Sequence, residues 1–114
     1  MKLRARALVV DDDPYFLDQR AHVMALAAGY AVPTISGWRE FPVAGGLMSY
    51  GGDRADAYRQ VGLYVGKILK GIRPADLPVQ QAVKIEMVVN LKTAKTLGIT
   101  FPLPLIGRAD EVIE

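Results

Sequence analysis

Three consecutive aspartates occupy the positions best suited to ligand chemistry. Asp11, Asp12 and Asp13 directly follow the short apolar run 7–10, which predicts a buried strand ending at this point. Ligands of open α/β sheets bind beyond the carboxyl ends of strands, where the N-terminus of the next helix can receive a carboxylate. An acidic side chain there suits the ammonium of a free amino acid. Asp12 and Asp13 are therefore candidate ligand-binding residues, although a helix cap at Asp13 and a solvated Asp12 are the simpler explanation of them without a ligand.

Aromatic residues near three predicted strand ends complete this candidate site. Tyr15 and Phe16 follow the aspartates and could stack on a ligand side chain or belong to the core. Trp38, the only tryptophan, comes just after the second predicted strand, where it could line a pocket or cover the edge of the core. Tyr50 ends the third predicted strand beside two glycines, which suits a hinge with the aromatic ring facing a cleft.

Other residue types argue against catalysis and metal binding. The chain has no cysteine, which excludes thiolate nucleophiles and cysteine-based metal sites. Its single histidine, His22, cannot build a His-rich metal site, and we expect it on a helix surface. The glycine pairs 45–46 and 51–52 do not form the lysine-ending loop that cradles phosphates. We therefore expect no catalytic residue, metal or cofactor.

Composition predicts one folded domain over residues 1–114. The chain is 51% hydrophobic and 23% charged, well outside the range typical of disordered chains. Its net charge of +2 is too small to indicate a nucleic acid or a membrane surface as partner. The basic start 1–6 is followed by only four apolar residues before the aspartates, so no secretory signal is expected and the chain as given is predicted to be cytoplasmic.

Hydrophobic periodicity, caps and glycine stops give the elements that must position these residues. Asp13, Asp53 and Asn90 are predicted N-caps, and Gly29, Gly71 and Gly98 are predicted helix stops. The segment after Gly98, which contains Pro102 and Pro104, is expected to stay extended until Ile106. The predicted strands are 6–11, 32–36, 46–50 and 83–89, and the predicted helices are 14–28, 54–70 and 91–97, with an irregular helical turn at 38–43.

The order of these elements predicts an α/β fold. Strands alternating with helices form βαβ units, which favours a Rossmann-like, mainly parallel sheet of about four strands with flanking helices. The strand 83–89 alternates apolar with charged residues and is expected to be half buried. The expected apolar faces of the first two helices are Leu17, Ala21, Met24, Ala25 and Ala28 in the first, and Ala57, Val61, Val65, Ile68 and Leu69 in the second.

The first thirty residues resemble the opening of a response-regulator receiver domain. The match consists of the sequence ALVVDDDP at 7–14, a helix, and GYAV at 29–32. Such domains also need a phosphate-accepting aspartate at the end of a later strand and a Lys-Pro pair. Here Asp53 and Asp56 follow at a helix start, and no Lys-Pro pair occurs. A receiver-like signalling domain is therefore kept as the alternative interpretation.

A second resemblance covers nearly the whole chain. In order, it runs through DDPYF (12–16), WREF (38–41), AGGLMSYG (44–51), YVGKILKG (64–71), PADLPVQ (74–80) and VNLKTAK (89–95), among other shorter matches. These segments resemble the C-terminal part of ABC-transporter substrate-binding proteins of the tryptophan/tyrosine-permease type.

This resemblance implies a type I periplasmic-binding-protein fold, in which two Rossmann-like lobes close on a small solute such as an aromatic or branched amino acid. It implies a noncatalytic importer component whose partners are that solute and an ABC permease, in the periplasm. Full members are two to three times longer, so this chain corresponds to the C-terminal third. The segment 46–50 would lead into a hinge crossing, and the helix 54–70 would pack on the other lobe.

The helix 54–70 also carries a strip of small and flat residues. Tyr58, Gly62 and Gly66 recur every four residues, and glycine inside a helix costs about 1 kcal/mol relative to alanine, which suggests tight packing against another backbone. Since most of the first lobe is missing from this chain, the strip is left without its partner. A homodimer is therefore expected.

Overall fold

The computed structural model describes residues 5–81 and 84–114. One short 3-10 turn, Pro74–Asp76, follows the longest helix. The strands are β1 (Leu8–Val10), β2 (Thr34–Ser36), β3 (Met48–Gly52), β4 (Ile85–Asn90) and β5 (Glu111–Ile113), and the helices are α1 (Pro14–Asp18), α2 (Arg20–Gly29), α3 (Glu40–Val43), α4 (Arg54–Leu69), α5 (Leu91–Leu97) and α6 (Leu103–Arg108).

The five strands form one mostly parallel sheet in the order β1-β2-β3-β4-β5. β1, β2 and β3 are parallel neighbours, and β4 and β5 are parallel to each other. β4 runs antiparallel to β3, because the Asn90 N–H donates to Leu47 O at 2.8 Å while the Asp53 N–H donates to Lys84 O at 3.0 Å. The α/β class with flanking helices is therefore confirmed, with five strands instead of about four.

The chain divides into two compact units. Unit 1 comprises Met1–Gly51 and Glu86–Glu114, and unit 2 comprises Gly52–Ile85. The boundaries fall inside β3 and beside the first residue of β4. The assignment of one domain to residues 1–114 stays a prediction.

Unit 1 has two clusters of buried apolar side chains. The first cluster joins Leu47 and Met87 to α5 and to the tail segment that contains Phe101. The second lies between β1 and the helices α2 and α3, and its partly buried neighbours include Trp38. Its buried members are Val10, Met24 and Phe41. The second cluster includes Val10, so it anchors the carboxyl end of β1, where the candidate site lies.

The predicted caps are confirmed at all three helices. The side chains of Asp13, Asp53 and Asn90 accept hydrogen bonds from backbone N–H groups in the first turns of α1, α4 and α5. Asn90 is buried, and its Nδ2 also donates to Pro42 O at 2.9 Å. Glycine stops are confirmed at Gly71 (φ 107°) and Gly98 (φ 72°).

The first predicted helix is wrong in two respects. It is two helices, α1 and α2, separated at Gln19, whose φ of −93° and ψ of 14° leave the helical region. The left-handed residue after α2 is Ala31 (φ 54°) and not Gly29, since the helix continues through Gly29 and the Val32 N–H closes on Ala27 O at 2.9 Å. This closing bond requires the residue before Val32 to be left-handed.

The predicted apolar faces are only partly buried. Met24 is buried as expected, but Ala21, Ala25 and Ala28 are exposed, and Ala27 takes their place in the core. The split at Gln19 explains this change of buried residues, because α2 does not continue the helical face on which Leu17 lies. No residue of α4 is buried, so its predicted stripe lies at the surface, with Leu69 82% exposed.

The last third of the chain differs most from its prediction. β4 is buried at Met87, Val88 and Val89 in succession, and not at alternate residues, because it is an inner strand of the sheet. Val83, the first residue of the predicted strand, lies outside the described residues. The tail is not extended, since proline fits the first turn of a helix and α6 begins directly after Pro102.

β5 is the strand that the sequence did not predict. It pairs with β4 through the register Val89↔Val112. Asp110 positions it, because its Oδ2 accepts from the Met87 N–H at 2.7 Å and its N–H donates to Met87 O at 2.8 Å. A strand of three residues is too short to show a periodic pattern.

Candidate ligand-binding site

The carboxyl ends of β1 and β2 form an open depression in unit 1. Its volume is about 310 Å³, and it lies beside the exposed ring of Tyr50 at the end of β3. The residues that line it are Val9, Val10, Asp11, Asp12, Ile35, Ser36, Gly37 and Tyr50. Two of the predicted site residues, Asp12 and Tyr50, are therefore brought together across three parallel strands.

A hydrogen bond between Asp12 and Gly37 fixes the acidic side of this depression. The Gly37 N–H donates to Asp12 Oδ1 at 3.1 Å. A Cβ placed on Gly37 would lie 2.1 Å from Asp12 Oδ2, so only glycine leaves room for the carboxylate here. A Cβ on Gly51 would lie 2.3 Å from Gly37 O, so the end of β3 also packs closely on this loop.

The depression is lined by a hydrogen-bonded serine and by apolar side chains. Ser36 is buried, and its hydroxyl donates to Trp38 O at 3.0 Å, which closes the turn after β2. Val9, Val10 and Ile35 supply apolar side chains around it. None of the described lining residues is basic, so the electrostatic potential favours a cationic group of a ligand.

The other predicted site residues do not line this depression. Asp13 is occupied as the cap of α1, and its Oδ1 accepts from the Tyr15 N–H at 2.8 Å. Tyr15 and Phe16 are 68% and 39% exposed, with ring centroids 5.7 Å apart in an edge-to-face arrangement. Trp38 is partly buried against the cluster of Val10, Met24 and Phe41, as expected for a residue that covers the core edge.

Sequence reasoning missed Ser36 and Gly37. Ser36 ends the predicted second strand and Gly37 follows it, so a Ser-Gly pair at a strand's carboxyl end was the available signal. The importance of Gly37 depends on the approach of Asp12, twenty-five positions earlier in the chain. That contact exists only once β1 and β2 have paired.

Two other cavities lie apart from this site. A cavity of about 480 Å³ in unit 1 is lined by Thr34, Leu47 and Asn90 at the opposite end of β2. The polar groups of Thr34 and Asn90 are already hydrogen-bonded to protein atoms there. In unit 2, a cavity of about 280 Å³ beside α4 contains the ion pair of Asp53 and Lys84, whose Oδ2 and Nζ atoms are 3.1 Å apart.

Asp53 and Asp56 do not have the geometry of a phosphate acceptor. The Lys84 ammonium, hydrogen-bonded to Asp53, and the backbone N–H of Asp56 hold the pKa of the Asp53 carboxyl below its ordinary value of 3.8. Asp53 caps α4, and Asp56 pairs with Arg59 at 2.9 Å. Within residues 5–81 and 84–114, no group of three or more acidic or histidine side chains could hold a metal ion.

One protein-family model matches nearly the whole chain. A sequence model described as "ABC transporter substrate binding protein" matches residues 1–113. This match agrees with the second resemblance and not with a receiver domain. No curated protein matches the sequence. None of the helices in the described ranges combines the length and hydrophobicity that a membrane crossing requires.

Solved structures with the same fold are longer than this chain. A conserved domain protein from Vibrio cholerae is 26% identical over 96% of this chain, with a TM-score of 0.89. An ABC domain from Streptococcus pneumoniae in complex with L-Trp is 29% identical over 96%, with a TM-score of 0.90. This chain spans 37% of the length of each. CD0873, an open, ligand-free substrate binding protein from Clostridium difficile, is 22% identical over 95% of this chain and 36% of its own, with a TM-score of 0.63.

Proposed function

The chain belongs to the family of ABC transporter substrate binding proteins, and from this premise we propose that it binds the ammonium group of a small amino acid at Asp12. The observation that carries the proposal is the hydrogen bond from the Gly37 N–H to Asp12 Oδ1 at 3.1 Å. This bond orients the carboxylate at the carboxyl end of β1, where open α/β sheets bind their ligands.

The charge of the depression supports an ammonium as the group recognised. Asp11 and Asp12 are both exposed, and no described lining residue offers a cation to neutralise them. A charged hydrogen bond between an ammonium and a carboxylate is about twice as strong as a neutral one. The carboxylate of the amino acid must then be held elsewhere, since two acidic side chains would repel it.

The side chain of the ligand is proposed to be aromatic or branched. Tyr50 is 60% exposed beside the depression, so its ring is free to stack on an apolar group. Val9 and Ile35 extend the apolar surface around it. The Streptococcus pneumoniae structure, 29% identical to this chain, was determined in complex with L-Trp, which supports an aromatic amino acid as the first ligand to test. We keep Asp13, Tyr15, Phe16 and Trp38 as proposed secondary contacts of a larger ligand.

The wider role is proposed from family membership. We propose a noncatalytic component of an importer that delivers its solute to an ABC permease, with the periplasm as the place of action. The chain spans 37% of its structural relatives, so a complete binding cleft would need further polypeptide. A homodimer stays a prediction, supported by the apolar surface on α4, which includes Val61 and Leu69 at 58% and 82% exposure.

Calorimetric titration of the chain with L-Trp, L-Tyr and L-Leu tests the proposal. We expect heat of binding for at least one of them, and at least a tenfold weaker affinity for Asp12→Asn, which keeps the hydrogen bond to Gly37 but loses the charge. Tyr30→Phe, directly after α2 and outside the depression, is the matched control and should bind like the parent chain. Absence of binding to all three amino acids, or equal binding by Asp12→Asn, would overturn the proposal.

A further inference from the structure

Gly37, in the turn after β2, contacts residues from both neighbouring strands of the depression. Its N–H donates to Asp12 Oδ1 at 3.1 Å, just beyond the end of β1. Its backbone also lies against Gly51 in β3, where an added Cβ would be 2.3 Å from Gly37 O, 2.9 Å from Gly37 Cα and 3.0 Å from Gly37 C. The position of the Gly37 backbone therefore depends on β1 and on β3 together.

The contact between Gly51 and Gly37 leaves no room for a side chain at position 51. A flexible side chain in the way of a new Cβ could rotate aside, but the three nearest atoms here belong to the Gly37 main chain. The φ of Gly51 is not in the left-handed region, so the need for glycine comes from this close approach and not from backbone conformation. Any larger residue at position 51 must therefore move the Gly37 backbone and the end of β3 apart.

Strand pairing and a buried hydroxyl limit how Gly37 can respond to such a change. Ser36, the preceding residue, is paired with residues of both β1 and β3. The Ser36 hydroxyl donates to Trp38 O at 3.0 Å, which joins the two residues that flank Gly37. By contrast, the attachment to Asp12 is one hydrogen bond to an exposed side chain, which costs less to break. A displacement of Gly37 is therefore expected to break the bond to Asp12 first.

We propose that Gly51 is a positioning residue for the Asp12 carboxylate and that it acts through Gly37. The absence of a Cβ at position 51 lets the Gly37 backbone lie close to β3, and from that position the Gly37 N–H reaches Asp12 Oδ1. The inference rests on the proposed function, in which this carboxylate binds the ammonium of the ligand. The contacts among the three residues are present in the chain without a ligand, so they are tested separately from binding.

The position of Tyr50 depends on the same packing, because Tyr50 directly precedes Gly51 in β3. Its ring is 60% exposed at the edge of the depression. The approach of Gly51 to Gly37 therefore also sets how far the Tyr50 ring lies from the Asp12 carboxylate. A ligand with its ammonium on the carboxylate and its side chain on the ring requires that separation to be kept.

Exchange of the Gly37 amide hydrogen, measured by nuclear magnetic resonance, tests the inference without any ligand. In the parent chain the hydrogen bond to Asp12 should slow this exchange. Asp12→Ala should speed it roughly threefold to tenfold, as expected for the loss of one hydrogen bond. Gly51→Ala should have a similar effect, although residue 51 is not a partner in that hydrogen bond. A general loss of stability would speed exchange throughout unit 1 and not at Gly37 alone.

Two further variants isolate the route through Asp12. Gly29→Ala is the matched control, because a Cβ at Gly29 would meet no heavy atom within 4 Å, and it should leave the exchange of Gly37 unchanged. In the double variant, Gly51→Ala should add little to the effect of Asp12→Ala, since the bond is already lost. Additive effects would show that position 51 acts independently of the carboxylate, which would overturn the inference.

Calorimetric titration with L-Trp measures the consequence for binding. Gly51→Ala should bind at least about tenfold more weakly than the parent chain, and Gly29→Ala should bind like the parent chain. If the parent chain binds no amino acid, the proposed function fails and the exchange rates alone decide the role of Gly51. If the parent chain binds and Gly51→Ala binds equally well, the inference is overturned while the proposed function stands.

A reciprocal measurement covers the case in which Gly51→Ala does not fold, as judged by circular dichroism. Coupling between two positions acts in both directions, so removing the Asp12 carboxylate should shift the resonances of Gly51 in the folded Asp12→Ala variant. Asp18→Ala, which removes an exposed carboxylate at the end of α1, is the control and should leave them unchanged. Gly51 resonances that do not respond to Asp12→Ala, or an unchanged Gly37 exchange rate in a folded Gly51→Ala, would contradict the inference.

Discussion

The Asp12 carboxylate lies directly over the backbone of Gly37, with its Oδ1 atom 3.1 Å from the Gly37 nitrogen. The two residues belong to the ends of neighbouring parallel strands, so the contact depends on the register Val10↔Ser36 between β1 and β2. Each residue restricts which side chain the other position can hold. The carboxylate fills the space that a side chain at position 37 would need, and the glycine N–H holds the carboxylate at the strand ends.

We predict that Gly37→Ala lowers affinity for the amino-acid ligand at least about tenfold. The added Cβ would lie 2.1 Å from Asp12 Oδ2 and must displace the carboxylate. The φ of Gly37 is not in the left-handed region, so the clash and not backbone strain causes the effect. Calorimetric titration measures the loss.

Gly62→Ala is the control for that substitution. A Cβ at Gly62 would meet no heavy atom within 4 Å, so this variant should bind the ligand normally. It should also raise the free energy of unfolding by about 0.5–1 kcal/mol, because alanine is a better helix former than glycine. Equal ligand affinities of the two variants would contradict the role assigned to Gly37.

Ligand analogues separate recognition of the ammonium from recognition of the carboxylate. Tryptamine keeps the ammonium and lacks the carboxylate, whereas 3-indolepropionate has the reverse pattern. Since the depression is lined by Asp11 and Asp12 and by no described basic residue, tryptamine should bind and 3-indolepropionate should not. Asp12→Asn should lose most of the binding of tryptamine. Preference for 3-indolepropionate, measured by calorimetry, would show that the charge argument is wrong.

Ala31→Gly should stabilise the chain by about 0.5–1 kcal/mol. Ala31 has a φ of 54°, a left-handed conformation that costs an alanine about 1–2 kcal/mol and costs glycine almost nothing. The greater entropy of glycine in the unfolded chain offsets part of this gain. Chemical unfolding measures the difference. Ala28→Gly, the same change inside α2, should destabilise by about 1 kcal/mol, so a similar effect of both variants would refute the explanation.

The ion pair of Lys84 and Asp53 should make stability depend on acid pH. Lys84 and the N–H of Asp56 hold the pKa of Asp53 below 3.8 in the folded chain, so the carboxylate contributes stability above that pH and loses it as the pH falls through the folded pKa. Lys84→Met should therefore lower the urea midpoint near neutral pH, and the difference from the parent chain should shrink below about pH 4.

Lys92→Met provides the control for that pH series. Lys92 is an exposed residue of α5, so the variant removes the same charge without touching Asp53. Its difference from the parent chain should change little between neutral and acid pH. A parallel pH profile for the two variants would mean that the pair with Asp53 contributes no specific stability.

Local sequence signals predicted the elements whose causes are local. The caps at Asp13, Asp53 and Asn90 and the stops at Gly71 and Gly98 depend on a few neighbouring residues, and the structure confirms them. The carboxyl-end location of the acidic residues also follows from the apolar run before them. For these features, hydrogen bonds within one turn of chain determine the conformation.

Pairing between distant segments decided the rest. β5 forms by pairing with β4, and its three residues are too few to show a periodic pattern in the sequence. The burial of successive residues in β4 also depends on its neighbours in the sheet. Ala31 adopts the left-handed conformation because the Val32 N–H donates the hydrogen bond to Ala27 O that closes α2. The need for glycine at position 37 arises only where Asp12 approaches it. Sequence determined where the chain turns and caps its helices, and the tertiary structure decided which side chains meet, because those contacts join residues far apart in the chain.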